Sequence, residues 1–86
     1  MYLHLGQATV IRTKNIIGIF DLDNTTVMKG TRDYLSQAEK NGEVVNVSDE
    51  LPKSFVVCDE KKGGKKIYIS QPAVTTLLKR LEKRDI

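Results

Sequence analysis

The stretch Gly18 to Val27, GIFDLDNTTV, ends an apolar run in Asp21, Asp23 and Thr25. That spacing is suited to phosphoryl transfer. Asp21 would be the nucleophile and Asp23 its acid/base partner. Such chemistry also needs a hydroxyl and a lysine to hold the phosphoryl oxygens. Ser54 and Lys53 are the residues available, and Asp59-Glu60 is a second acidic pair.

The same opening is similar to that of haloacid-dehalogenase-type phosphatases. In those enzymes the acidic residues converge at the C-terminal ends of neighbouring parallel strands. Parallel neighbours need a crossover of about a dozen residues, usually a helix. The run from Asp59 to Lys66 has Gly63-Gly64 at its centre, which is hairpin chemistry, so the strands beside it are expected to run antiparallel. Asp21 and Asp23 then read as part of a solvated turn in which Asp and Asn side chains bond nearby backbone N–H groups. Two bare carboxylates also fall short of the six or more oxygens that calcium takes.

Other reactive residue types have no constellation. His4 is the single histidine and Cys58 the single cysteine, so no zinc spacing exists and no internal disulfide can form. Cys58 ends the apolar run FVVC and is expected to be buried and inert. No serine stands in a nucleophile elbow. No catalytic residue, cofactor or metal is expected, and the phosphatase is kept only as an alternative.

The elements that would carry these residues are short. YLHL alternates apolar and polar residues, ATVIRT is rich in β-formers, and IIGIF is the most apolar segment. With tight breaks between them, the three suggest an antiparallel meander. Thr31 can cap a helix over about residues 31 to 41, with Gly42 as its left-handed stop. EVVNV, KSFVVC and IYIS read as further strands. Pro72 fits the first turn of a last helix, about 72 to 84, whose apolar stripe is Val74, Leu77, Leu78 and Leu81. The expected fold is one α+β domain over residues 1–86: an antiparallel sheet of five or six strands with two helices. Its expected core is Leu3, Leu5, Val10, Ile17, Ile19, Leu35, Val56, Ile67, Ile69, Leu77 and Leu81.

Composition adds bounds. Eighty-six residues without tryptophan make a thin core, and such chains often gain burial by self-association. No apolar run reaches about 18 residues, so no membrane span is expected. No signal peptide is visible, and a cytoplasmic location is expected. Residues 1–43 hold five Lys/Arg and five Asp/Glu, whereas residues 44–86 hold nine against six. This mild excess permits an anionic partner without demanding one. Lys61, Lys62, Lys65 and Lys66 crown the Gly63-Gly64 turn, while Arg12, Lys14 and Lys53 flank strand ends. Arg32 opens a helix, where the dipole disfavours a cation.

Taken in order, MYLHLG, VIRTKNIIGIFD, PKSFVVCD, IYIS and TLLKR resemble the RemA/RemB family of bacterial extracellular-matrix (biofilm) regulators, and most closely its RemB branch. The resemblance spans nearly the whole chain. It implies a fold similar to LytTR DNA-binding domains, a ring-shaped homo-oligomer, and transcriptional control of matrix genes through DNA. A ring would multiply a weakly basic surface into many linked phosphate contacts.

The chain departs from that family at two places. An arginine pair tied to DNA binding aligns with Glu50 and Leu51, and a further arginine aligns with Asn15, beside Lys14. The surviving cations are Lys14 and Lys53, with Arg12 and Arg32 as neighbours. DNA contact is therefore expected at the phosphate backbone through Lys14, Lys53, Arg12 and Arg32. Glu50-Leu51 also favours an alternative, a protein-interaction module that modulates a RemA-like partner without touching DNA.

Overall fold

Ser54–Asp59 (β5) is the spine of the molecule, with five successive residues buried. A strand reads as a continuous apolar run when both of its faces are covered. That is the case in the computed structural model, which describes residues 2–6, 9–22, 29–47 and 51–82. The elements follow in the order β1 (Tyr2–Gly6), β2 (Thr9–Arg12), a 3₁₀ turn (Thr13–Asn15), β3 (Ile16–Asp21), α1 (Lys29–Lys40), β4 (Val44–Asn46), β5, a second 3₁₀ turn (Lys61–Gly63), β6 (Lys65–Ser70) and α2 (Val74–Glu82).

The described residues form an α+β fold with two helices, but their strands do not form one antiparallel sheet. β1 and β2 make a separate ribbon, and the other four form a sheet in the order β3-β5-β6-β4. The meander expected from the first three strands stops after two. The 3₁₀ turn at Thr13–Asn15 redirects the chain, and β3 pairs with β5 instead.

The Gly63-Gly64 reversal is a hairpin. Asp59 pairs with Lys65, Val57 with Ile67 and Ser54 with Ser70, all antiparallel. Gly64 has φ +75, and the Glu60 N–H donates to the Gly64 carbonyl at 2.9 Å. A second left-handed glycine sets the parallel pairing of β4 with β6. At the end of α1, Gly42 (φ +74) donates to the Glu39 carbonyl at 3.1 Å and Glu43 donates to the Ala38 carbonyl at 3.0 Å. These two bonds are a Schellman stop. They release the chain at the hairpin end of the sheet, where the Ile67 N–H meets the Glu43 carbonyl at 2.8 Å. β4 and β6 thus leave the same end and run parallel, with Val44 opposite Ile67.

The sheet separates two cores. On one face Val56, Cys58, Val47 and Leu77 pack with Leu3, Leu5 and Ile11 of the ribbon. On the other, Phe55, Val57 and Ile67 pack with Leu22 and Ala38, and Leu35 joins them from α1. Leu3, Leu5, Val56, Ile67 and Leu77 are buried as expected, and Ile19, Leu35, Ile69 and Leu81 are partly buried.

Val10 and Ile17 are not core residues. Val10 pairs with His4 on the outer face of the ribbon, opposite to the buried Leu3–Ile11 pair. Ile17 sits at a register shift between Ile16 and Gly18, which leaves Ile16 and Ile19 on the ribbon side and Ile17 60 % exposed.

The helix limits also differ from expectation. α1 begins at Lys29, so Thr31 lies inside it rather than at its cap. α2 begins at Val74, so Pro72 precedes the helix. The Pro72 carbonyl instead accepts a hydrogen bond from Ser54 Oγ at 2.6 Å.

Candidate nucleic-acid interface

The acidic residues that suggested phosphoryl transfer do not converge. Asp21 pairs with Ser54 at one end of the β3–β5 ladder, while Asp59 pairs with Lys65 at the other end of β5. Five residue steps of extended chain separate those ends by roughly 17 Å. Asp23 lies outside the described residues. Ser54 and Lys53 do stand beside Asp21, but Ser54 is fully buried and its hydroxyl is already engaged by Ser70 and Pro72. Among the described residues, no three His, Cys, Asp or Glu side chains come together as a metal site. No described helix is long and apolar enough to cross a membrane.

Cys58 is buried, as its apolar surroundings predict. Burial, reinforced by the negative charge of Glu60, pushes its thiol up to about 11, far from a reactive thiolate at neutral pH. Tyr68 is raised by the same burial and by the hydrogen bond it donates to Glu60 Oε2 at 2.5 Å. Both effects hold the neutral forms, which suits a structural interior.

The cations fall into distinct places. Arg12 ends β2 opposite Tyr2, and Lys14 lies in the 3₁₀ turn that follows. Together with Tyr2 and Thr13 they line a shallow hollow of about 240 Å³. Both cations are exposed. They share their end of the sheet with the lysine hairpin, because Ile16, Cys58 and Lys66 lie on one line of the ladder. Lys61, Lys62 and Lys65 are exposed there.

Lys53 is also exposed but stands at the opposite end, its backbone N–H bonded to the Ser70 carbonyl at 3.0 Å. Arg32 is exposed on α1. It is two residues from both Gly30 and Tyr34, and so on the other side of the helix from them. Of the four cations expected to meet DNA, the fold brings together Arg12 and Lys14 only. It adds the hairpin lysines, which were visible in sequence as a cluster. What linked them to Arg12 and Lys14 was the pairing of β3 with β5, which no local pattern specifies.

A small α+β domain with exposed cations gathered at one sheet end presents a surface complementary to an anionic partner. The chain matches the RemA-like family, described as Extracellular matrix regulatory protein A-like, over residues 2–81. It is 33% identical over 82 residues to Extracellular matrix regulatory protein B of Bacillus subtilis (strain 168), covering 95% of this chain and 91% of that protein. The chain belongs to the RemA/RemB family, in its RemB branch.

Proposed function

We propose that this chain is a DNA-binding regulator of extracellular-matrix genes that acts in the cytoplasm as a homo-oligomer, without a catalytic step or cofactor. The observation that carries the reading is the convergence of Arg12 and Lys14 with the lysine hairpin at one end of the sheet. The relative's name, which refers to extracellular matrix regulation, supports the biological setting. Arg12 and Lys14 supply the leading phosphate contacts, with Lys53 and Arg32 as outlying ones. Cations on a turn and a hairpin tip touch backbone rather than base edges, so recognition relies on phosphates and on DNA shape.

Each protomer carries few such contacts. Linking several copies raises the affinity through effective concentration. The test is a fluorescence-anisotropy titration of duplex DNA at two salt concentrations. Binding that weakens as salt rises is expected. An absence of binding at both concentrations would favour the second reading, a module that meets a related protein instead. Leu51 supports that second reading, because it is 84 % exposed beside Lys53.

A further inference from the structure

We infer, on the basis of the nucleic-acid reading proposed above, that the outer face of the β1–β2 ribbon binds unpaired nucleotides of a single strand. The bases stack on Tyr2 and His4, and Arg12 and Lys14 hold the phosphates.

The ribbon has two unlike faces. Leu3, Leu5 and Ile11 point inward and pack with Val56 and Leu77. The alternation of a strand then puts Tyr2 and His4 of β1 on the opposite face, with Arg12 and Val10 of β2 as their cross-strand partners. All four are exposed. Tyr2 is 49 % exposed, and with Arg12, Thr13 and Lys14 it walls the hollow of about 240 Å³ at the end of the ribbon. Beside His4, the exposed Arg80 of α2 donates from Nη1 to the His4 carbonyl at 2.8 Å. Two rings in line on one strand thus stand among cations from three elements, β2, the 3₁₀ turn and α2.

Exposed aromatic side chains are ordinary when scattered singly. Their neighbours set these two apart. Every base has a face to lay on a ring, and every nucleotide has a phosphate for a cation. Sites that take single strands combine those two features. The spacing excludes bases that remain stacked in a duplex. Side chains two residues apart on a strand are separated by about 7 Å, roughly twice the 3.4 Å step between bases along a duplex strand. Bases resting on Tyr2 and His4 must be parted from each other, which an extended, unpaired strand permits. Stacking uses the face of a base and not its edge, so little sequence preference is expected.

Anisotropy titrations of labelled oligothymidylate, oligouridylate and a duplex of the same length test this. The proteins are the wild type, Tyr2→Leu/His4→Leu, Tyr2→Phe and Arg12→Ala/Lys14→Ala. The wild type should bind a single strand, and the deoxy and ribo probes tell DNA from RNA. The leucine variant should bind that strand roughly tenfold more weakly or worse, and bind the duplex as the wild type does. Tyr2→Phe keeps the ring and should match the wild type. The alanine variant loses phosphate contacts and should weaken on every probe.

A wild type that binds the duplex but neither single strand would overturn this inference and leave the duplex-binding regulator standing. Binding to none of the three would sink both. A leucine variant with wild-type affinity for the single strand would remove the stacking. Both substituted side chains are exposed, so the variant is expected to fold. If it does not, ultraviolet crosslinking of a bromouracil-substituted oligonucleotide to the wild type replaces it. Attachment at Tyr2 or His4 is expected, and attachment confined to other residues would refute the contact.

Discussion

Lys14 and Lys53 stand at opposite ends of the β3–β5 ladder, roughly 20 Å apart along the strands. Arg12 lines the same hollow as Lys14. The four candidate cations are therefore unequal. Arg12→Ala/Lys14→Ala should lower DNA affinity at least tenfold and flatten the salt dependence by roughly two phosphate contacts for each protomer engaged. Lys53→Ala should lower affinity less and flatten the slope by about one. The comparison is made by anisotropy titration across a salt series. Equal losses from the two variants would contradict the clustering of Arg12 with Lys14.

Ser54 and Ser70 form a fully buried cross-strand pair, their hydroxyl oxygens 2.8 Å apart. Ser54 also donates to the Pro72 carbonyl, so its single proton is committed there and Ser70 must donate into Ser54. The pair fastens the end of β6 and the approach to α2 onto β5. Ser54→Ala leaves a buried hydroxyl and a carbonyl without their partner and should cost about 2 kcal/mol in urea unfolding. Ser70→Ala should cost about 1 kcal/mol, because Ser54 keeps its acceptor. The double variant should be less destabilised than the two losses added together. Additive losses would mean that the two hydroxyls do not act as a unit.

Much of this fold was legible residue by residue, where the cause is local. Gly42 and Gly63-Gly64 marked the helix stop and the hairpin because only certain backbones reverse there, and both reversals are present. The ribbon, both helices and the burial of Cys58 followed from short-range patterns. What failed was longer range. IIGIF looked like a buried strand, yet its register shift turns Ile17 outward on an edge strand of the sheet. SFVVC is buried on both faces, so Phe55 and Val57 belong to the core alongside Val56, which an alternating pattern would exclude. The candidate site divided in the same way. Each cation could be read from the chain, but which of them meet depends on strand pairing across some forty residues.

Gly42 offers a measurement of backbone strain without steric clash. Its φ is +74, and a Cβ added there would meet nothing within 4 Å. Gly42→Ala should therefore destabilise by about 1 kcal/mol, the ordinary cost of a side chain in the left-handed region. Gly42→Asn should lose less, since asparagine tolerates that region. Thermal unfolding of the two variants against wild type makes the comparison. A neutral alanine variant would mean that the stop after α1 does not require the left-handed turn.

Cys58 should leave a signature in alkaline stability. Its thiol is raised from 9.0 to about 11 in the folded chain, first by burial and then by Glu60. The unfolded chain loses that proton near pH 9 while the folded chain still holds it. Where the folded state binds more protons, unfolding free energy falls as pH rises. The contribution is complete below pH 9 and is lost between about 9 and 11, amounting to about 3 kcal/mol over the window. Tyr68, also raised, adds a loss of the same sign above its ordinary value of 10.0. The interval from pH 9 to 10 therefore belongs mainly to the thiol. Urea midpoints across that interval should drop in wild type and stay nearly level in Cys58→Ala, whatever the variant's absolute stability. Parallel declines in the two proteins would show that the buried thiol does not control alkaline unfolding.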